Sequence, residues 1–305
     1  MNATITRRQL IKTAAAGIFA AALPGGLAGC SGTSGNKGTV TVGSKSFTES
    51  EIMAEVYALA LENAGFTVKR SFDVANSAVH TAIVHGDIDL YPGYTGTALL
   101  SVLKLPAETD PQKVYDTVKK EYKKQFKLTW LDMTAANDGQ GVAISKRVAD
   151  KYGISNITEL QAHATELRFA SGPEFDERED CLPALEAAYG PFAWKSRDVI
   201  DDSLKYEILD KDKADVTSVA TTEGQLSETD KFVLLDDDKK VWPPYNLAPI
   251  VRNDTLKTYP EIADVLNEVG KKLDTKTLTK LNAKVDVDKE EYEDVAADYF
   301  DSLDL

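Results

Sequence analysis

Four short stretches of this sequence carry residue types that could bind a charged solute. The first, "GSKSFTES" (43–50), follows a predicted strand, opens a predicted helix and contains Lys45. The free N–H groups at a helix start and the ammonium of a lysine both attract anions. We therefore expect Lys45 to hold a carboxylate or another anion.

The second stretch, "SGPEFDERED" (171–180), places Glu174 and Arg178 in a densely charged loop after a predicted strand. A guanidinium can donate two parallel hydrogen bonds to a carboxylate, which makes Arg178 a candidate ligand-binding residue. Alternatively, Arg178 pairs with Glu174 or Asp180 at the surface. The residues alone leave both interpretations open.

The third stretch, "DIDLYPGYTGTALL" (87–100), combines two tyrosines with small and hydroxylated residues. It predicts a strand over 88–91 that ends in a turn at Pro92 and Gly93. The chain then presents Tyr94 and the hydroxyl of Thr97. Packing in a core does not require glycine and threonine there, whereas the wall of a pocket could use them.

The fourth stretch, "VWPPYNLAP" (241–249), surrounds two prolines with Trp242 and Tyr245. Because prolines restrict the backbone, the pattern predicts a stiff connection that presents aromatic rings. A packed hinge without a ligand contact is the alternative interpretation.

The elements that must position these residues alternate between short apolar strands and helices. The predicted strands are 39–43, 66–74, 88–91, 128–132, 141–145, 166–171, 214–220 and 232–236. Thr48 and Glu51 predict a capping box on the first helix, and Asp110 before Pro111 predicts another helix start. Such alternation is typical of parallel α/β sheets.

The strands and helices form two sets, and the C-terminal tail is largely helical. We therefore predict an α/β protein of two lobes with a ligand cleft between them. Lobe 1 comprises residues 39–139 and 246–305, and lobe 2 comprises residues 140–245.

Composition limits the class of partner. The chain of 305 residues has a formal net charge of −14, and residues 1–29 contain three basic and no acidic residues, so residues 30–305 carry −17. A negative surface argues against nucleic acid or anionic lipid as the partner. The roughly 275 remaining residues are enough to bury a large core.

The N-terminus predicts export and lipid anchoring. "TRRQLIK" (6–12) precedes an apolar run too short to span a bilayer, and "LAGC" (27–30) follows it. We interpret residues 1–29 as a lipoprotein signal peptide of twin-arginine type, Cys30 as the lipidated residue, and residues 30–38 as a flexible tether. An ordinary secretory signal with a chance cysteine is the alternative, and general secretory export is also open.

Catalytic and metal-binding patterns are not evident in the sequence. It contains no P-loop, no Gly-x-Ser-x-Gly elbow and no His-Glu-x-x-His motif. His80 and His85 near Asp87 and Asp89 do not have the spacing of a metal site. Cys181 would be the single cysteine after lipidation, and we expect it to pack as a small apolar side chain. We predict no metal, no cofactor and no enzymatic activity; an exported enzyme is a further hypothesis.

The motifs "GSKSFTE", "GDIDLYPGYTGTAL", "PEFDERED" and "PPYNLAPIVR" together resemble the solute-binding proteins of osmoprotectant ABC importers, which take up glycine betaine, choline, carnitine or proline betaine. The resemblance covers essentially the whole chain after the signal peptide, in the same order. It implies a two-lobed periplasmic-binding-protein-like (type II) fold joined by two crossovers. It also implies a monomeric receptor at the outer face of the bacterial cytoplasmic membrane that delivers solute to an ABC permease.

The resemblance assigns roles to the candidate residues. Tyr94 and Tyr245 would be walls of an aromatic cage, because a quaternary ammonium is held by cation–π attraction. Lys45, Thr97 and Arg178 would hold the carboxylate of a zwitterionic solute.

Two acidic residues, Glu174 and Asp138, would fall beside this site in the resemblance. Two positions depart from the family pattern. Gln140 in "ANDGQGVAI" and Ala220 in "VATTEG" stand where the family has tyrosines. Each lost wall would weaken cation binding by about 0.5–2 kcal/mol.

Two interpretations of these departures are open. Either Trp242 or Tyr91 rebuilds the cage, or the solute is another small polar compound or amino acid derivative. In the second case Gln140, which offers a donor and an acceptor, would contact the solute.

Overall fold

Ten strands form two five-stranded sheets in the computed structural model, which describes residues 36–305. The predicted signal peptide, Cys30 and most of the tether lie outside the described residues. Sheet 1 contains β1 (Thr39–Lys45), β2 (Thr67–Val74), β3 (Leu90–Tyr94), β4 (Leu128–Trp130) and β10 (Leu247–Arg252). Sheet 2 contains β5 (Gln140–Ser145), β6 (Arg168–Ser171), β7 (Ser196–Val199), β8 (Val216–Ala220) and β9 (Phe232–Leu234).

Helices connect the strands of both sheets. In the first part of the chain these are α1 (Thr48–Asn63), α2 (Val79–His85), α3 (Thr95–Thr97), which continues as a π-helical turn (Ala98–Val102), and α4 (Pro111–Phe126). Between the strands of sheet 2 lie α5 (Lys146–Tyr152), α6 (Ile157–His163), α7 (Glu174–Glu177), α8 (Leu182–Tyr189) and α9 (Lys205–Asp210). The C-terminal helices are α10 (Asn253–Thr258), α11 (Glu261–Gly270), α12 (Thr275–Asp286) and α13 (Tyr292–Leu303).

Both sheets are mixed, which corrects the expectation of parallel sheets. The strand order is β2-β1-β3-β10-β4 in sheet 1 and β7-β6-β8-β5-β9 in sheet 2. In each sheet one strand, β10 or β5, runs antiparallel to both of its neighbours. β5 and β10 are the strands that follow a crossing from one sheet to the other. Because the chain enters each sheet at the cleft, these strands run away from the cleft, opposite to their neighbours.

The two crossing segments lie side by side. Asn137 and Asn246 form an isolated antiparallel bridge, and the backbone N–H of Tyr245 donates to Oδ1 of Asn137 at 2.6 Å. All strands of sheet 1 come from the predicted lobe 1 and all strands of sheet 2 from the predicted lobe 2, and we use these names below. The exact lobe boundaries stay a prediction.

Each sheet is buried on both faces, as open α/β sheets usually are. One face of sheet 1 packs with α1 and the C-terminal helices through residues such as Val56, Leu266 and Val295. The other face packs under α2 and α4, with Trp130 and Tyr122 fully buried. The C-terminal helices therefore pack on sheet 1.

Strand β3 differs from its prediction. The expected turn at Pro92 and Gly93 is part of the strand, which runs on to Tyr94. Pro92 lies opposite Pro249 of β10. A proline pair can occupy a non-hydrogen-bonded position of an antiparallel ladder, where neither residue has to donate an N–H.

Two predicted helix starts have different outcomes. The Asp110 side chain accepts the N–H of Lys113 at the start of α4, as predicted. The capping box on α1 is wrong, because Phe47 is the N-cap residue and makes no side-chain cap. The Thr48 hydroxyl instead donates to Oδ1 of Asp286 on α12 at 2.7 Å. The helix begins one residue earlier than predicted, so Thr48 is its first residue and not its N-cap.

Candidate ligand-binding site

Strand ends from both sheets meet at the cleft. Strands β1, β3 and β8 end at Lys45, Tyr94 and Ala220, and the reversed strand β5 begins at Gln140. Binding sites of open α/β sheets lie at the carboxyl ends of the parallel strands. The mixed topology therefore brings residues far apart in sequence to one place.

Lys45 is a buried cation at the end of β1. Lys45 is 8% exposed, and its Nζ lies 5.0 Å from the ring centroid of Tyr94. Burial, and then the charge of Arg178, lower the pKa of Lys45 to about 8, while Asp138 and Glu49 act in the opposite direction. Within residues 36–305 the ammonium has no hydrogen-bonded or ion-paired partner. It is therefore available to an anion.

Tyr94 is held from its hydroxyl end by a buried carboxylate. Its hydroxyl donates to Oε1 of Glu49 at 2.8 Å. The second oxygen of Glu49 accepts from the Thr222 hydroxyl at 2.6 Å and from the amide of Asn282 at 2.9 Å. Burial raises the pKa of Glu49, and these three donors oppose the shift. The Tyr94 ring is thus oriented by groups of the protein itself.

Three predicted residues of lobe 1 line one small cavity. Lys45, Tyr94 and the half-buried Thr97 surround a space of about 30 Å³. Tyr91, which is 4% exposed, lies beside them and packs into the core of lobe 1. The structure therefore brings together the basic, aromatic and hydroxyl groups that were predicted to meet.

Arg178, Asp180 and Tyr245 form a second group at the cleft. Arg178 donates to both carboxylate oxygens of Asp180, at 3.0 and 2.6 Å, and the Tyr245 hydroxyl donates to Oδ2 at 2.7 Å. Burial alone would raise the pKa of Asp180, but the bonds from Arg178 outweigh it and lower that pKa. The indole N–H of Trp242 donates to the Asp180 carbonyl at 2.7 Å. Arg178 thus pairs with Asp180, one of the two partners left open above.

A glycine in "YTGT" explains why that stretch is built of small residues. A Cβ at Gly96 would lie 2.6 Å from Cγ of the Tyr245 ring. Only glycine lets the ring of the crossing segment pack directly on the turn after Tyr94. Tyr245 is 1% exposed, so the ring is fully enclosed.

The two departures from the family pattern are direct neighbours. Gln140 of β5 pairs with Ala220 of β8 in the antiparallel ladder of sheet 2. Oε1 of Gln140 lies 3.7 Å from the thiol of Cys181, which is 2% exposed. Burial raises the pKa of Cys181 to about 12, so the thiol stays protonated at neutral pH. Gln140 also borders a cavity of about 410 Å³ that includes Thr221 and Trp242.

The two acidic candidates differ in their surroundings. Oδ1 of Asp138 is buried without a hydrogen-bond partner among the described residues. Burial, followed by the charge of Glu49, raises the pKa of Asp138 well above its usual range. Glu174 is exposed at the start of α7, and its charge acts weakly on Lys45. The ligand-binding roles of all these residues stay predictions.

Comparison with known protein families identifies the chain. Residues 38–302 match the family described as "Substrate binding domain of ABC-type glycine betaine transport system". The chain belongs to this substrate-binding family. The resemblance seen in the four motifs is thereby confirmed.

Relatives of this family member include several transport proteins. It is 35% identical to the ergothioneine transport permease/ergothioneine binding protein EgtU of Helicobacter pylori over 87% of the chain, which spans only 48% of that relative. It is 30% identical to a glycine-betaine-binding protein of Pseudomonas aeruginosa, covering 94% of this chain and 91% of the relative. It is 31% identical to the glycine betaine-binding protein YehZ of Escherichia coli, covering 85% and 89%.

Solved structures confirm the two-lobed α/β fold. A glycine betaine/carnitine/choline ABC transporter structure superposes with a TM-score of 0.76 and 25% identity, over 86% of this chain and 98% of that one. The ligand-free structure of YehZ from Escherichia coli superposes with a TM-score of 0.69 and 30% identity, over 87% and 98%. Within residues 36–305, no helix is both long and apolar enough to cross a membrane.

Sequence reasoning missed three residues of the site. Glu49 and Thr222 lie inside "GSKSFTES" and "VATTEG", where no local pattern distinguishes them from ordinary surface residues. Asn282 lies on the face of α12 that also buries Leu278. A polar side chain on an apolar helix face was the one available signal, and it does not identify the partner.

Proposed function

We propose that this chain is the extracytoplasmic receptor of an ABC importer and that it binds a small quaternary-ammonium zwitterion. The observation that carries the proposal is the buried ammonium of Lys45, which lies beside the Tyr94 ring and has no anionic partner within residues 36–305. It supplies the anion-binding half of a zwitterion site. Tyr94 and Tyr245 supply aromatic surface for the cation.

Entry of the solute requires the lobes to separate. Tyr94 and Tyr245 are 4% and 1% exposed, and each hydroxyl is bonded to a carboxylate. Closure around the solute would then exclude water and strengthen every charged contact in the cleft. A permease would recognise the closed form.

Titration calorimetry tests this function. The panel consists of glycine betaine, choline, carnitine, proline betaine and ergothioneine. We expect at least one member to bind with a Kd well below millimolar. If no member binds at millimolar concentration, the quaternary-ammonium assignment is wrong.

A second candidate is a larger betaine that carries an additional polar group. Gln140 beside Ala220 offers an amide where a family tyrosine would be, together with the space that a tyrosine would fill. Ergothioneine, a betaine with a polar thioimidazole ring, has this chemistry. A relative that is 35% identical is named for binding it.

Replacing Gln140 by alanine separates the two candidates. If the amide contacts a polar side group of the solute, affinity for ergothioneine should fall about tenfold, the value of one or two hydrogen bonds. Affinity for glycine betaine, which has no such group, should stay the same and serves as the control. Equal affinities of variant and parent for ergothioneine would exclude Gln140 as a contact.

We also propose that Cys30 carries a lipid that anchors the receptor to the outer face of the cytoplasmic membrane. Cells grown with a labelled fatty acid should label the protein, and Cys30→Ala should abolish the label. Cys181→Ala is the matched control, since Cys181 is buried in lobe 2. Label that persists in Cys30→Ala would contradict the anchor.

A further inference from the structure

A buried carboxylate takes part in the contact between the two lobes. Glu49, at the start of α1 in lobe 1, is 3% exposed. Its Oε2 accepts from the hydroxyl of Thr222, which lies in the turn after β8 of lobe 2, at 2.6 Å. Asn282 on α12 donates to the same oxygen at 2.9 Å and to the carbonyl of Thr222 at 2.8 Å. Three segments from two lobes therefore share one group.

Backbone packing supports the same contact. A Cβ at Gly224 would lie 2.6 Å from the backbone N and Cα of Ala283 on α12. Because backbone atoms cannot move aside as the end of a side chain can, only glycine permits this approach. The turn of lobe 2 thus lies directly on a helix of lobe 1.

The turn is held firmly within its own lobe. The carboxylate of Glu223 accepts from Lys205 at 2.5 Å, from the Tyr206 hydroxyl at 2.6 Å and from the backbone N–H of Ala220 at 2.9 Å. The Thr221 hydroxyl accepts the N–H of Gly139 in the crossing segment at 2.8 Å. A displacement of lobe 2 is therefore transmitted to Thr222.

The other oxygen of Glu49 faces the proposed solute site. Oε1 accepts the hydroxyl of Tyr94 at 2.8 Å, and the Tyr94 ring lies beside Lys45. The group that joins the lobes is thus also the group that orients a wall of the site. The Glu49 side chain therefore connects the proposed solute site with the contact between the lobes.

We infer that Glu49 is a positioning residue that latches the Thr221–Gly224 turn of lobe 2 onto lobe 1 and holds Tyr94 in place, so that closure and solute retention are linked. The inference rests on the proposed function for its link to the solute. The latch itself consists of protein groups alone. It can therefore be measured without any solute.

Thr222→Val tests the latch in the protein without solute. Valine keeps the shape of threonine and removes the hydroxyl that donates to Glu49. Amide hydrogen exchange in the turn 221–227 and in α12 should become about tenfold faster, as expected when a buried hydrogen bond is lost. Exchange at the parent rate would overturn the latch.

Thr255→Val is the matched control. The Thr255 hydroxyl donates to Oδ1 of Asp89 at 2.9 Å, and Thr255 is 7% exposed, so it makes the same type of bond within lobe 1 alone. This variant should leave exchange in 221–227 unchanged. Equal acceleration by both variants would mean general loosening and would overturn the inference.

Stopped-flow dissociation of a solute identified by calorimetry tests the link to retention. Thr222→Val should release the solute about tenfold faster, and Thr255→Val should release it at the parent rate. If exchange accelerates but release does not, the link to retention is overturned. If no panel solute binds the parent protein, the proposed function fails, and hydrogen exchange alone decides the latch.

Discussion

Affinity for a solute that carries a carboxylate is expected to fall about tenfold for each pH unit above pH 8, as Lys45 loses its proton. Burial, and secondarily Arg178, lower the pKa of Lys45 to about 8. A bound carboxylate favours the charged ammonium and raises that pKa again. The contribution of Lys45 to binding is therefore complete below pH 8 and is lost as the pH rises. Calorimetry with glycine betaine on both sides of pH 8 measures the slope.

Choline is the control solute, because it has a quaternary ammonium and no carboxylate. Its affinity should not fall with the deprotonation of Lys45. Glycine betaine binding that does not change across pH 8 would contradict the role of Lys45.

Lys45→Met is the matching variant. It should weaken betaine binding about 100-fold, because a buried charge-assisted contact is lost. The variant should not unfold at a lower temperature, since a pKa lowered from 10.5 to about 8 implies that burying the charge costs about 3 kcal/mol at neutral pH. Loss of affinity together with loss of fold would instead indicate a structural role.

Replacing Asp180 by alanine is expected to reduce the free energy of unfolding by about 3 kcal/mol and to weaken solute binding at least tenfold. The change removes the acceptor for Arg178 and for the buried hydroxyl of Tyr245. Both groups are then left without a partner, and Tyr245 loses the bond that orients its ring. Urea denaturation and calorimetry measure the two effects.

Asp215→Ala is the matched control for this variant. Asp215 is 5% exposed in lobe 2 and accepts from Arg168 and Arg147, both at 2.8 Å, away from the candidate site. Asp215→Ala should destabilise the protein about as much as Asp180→Ala does, and it should leave the solute affinity of the folded protein unchanged. Tighter binding by Asp180→Ala would contradict the prediction and mean that Asp180 competes with the solute for Arg178.

Local pattern was a reliable guide to element type and less reliable at the ends of elements. The helix start at Asp110 was predicted correctly, because the cap needs only the Asp110 carboxylate and the backbone N–H of Lys113, three residues later. The cap expected at Thr48 failed because α1 begins one residue earlier than expected, with Phe47 at its N-cap position. Strand β7 (Ser196–Val199) was missed because it is a polar edge strand with little apolar alternation.

The sequence by itself determined the family, the two-lobed α/β class and the residue types that line the cleft. Motifs such as "YPGYTGT" and "PPYNLAP" carry this information because contacts along one strand end or one turn are encoded locally. Only the tertiary structure decided that Gln140 and Ala220 are cross-strand neighbours and that Gly96 accommodates the ring of Tyr245. It alone placed Glu49 between Tyr94, Thr222 and Asn282. These partners are separated by as many as 233 residues, and no local pattern specifies a hydrogen bond over that distance.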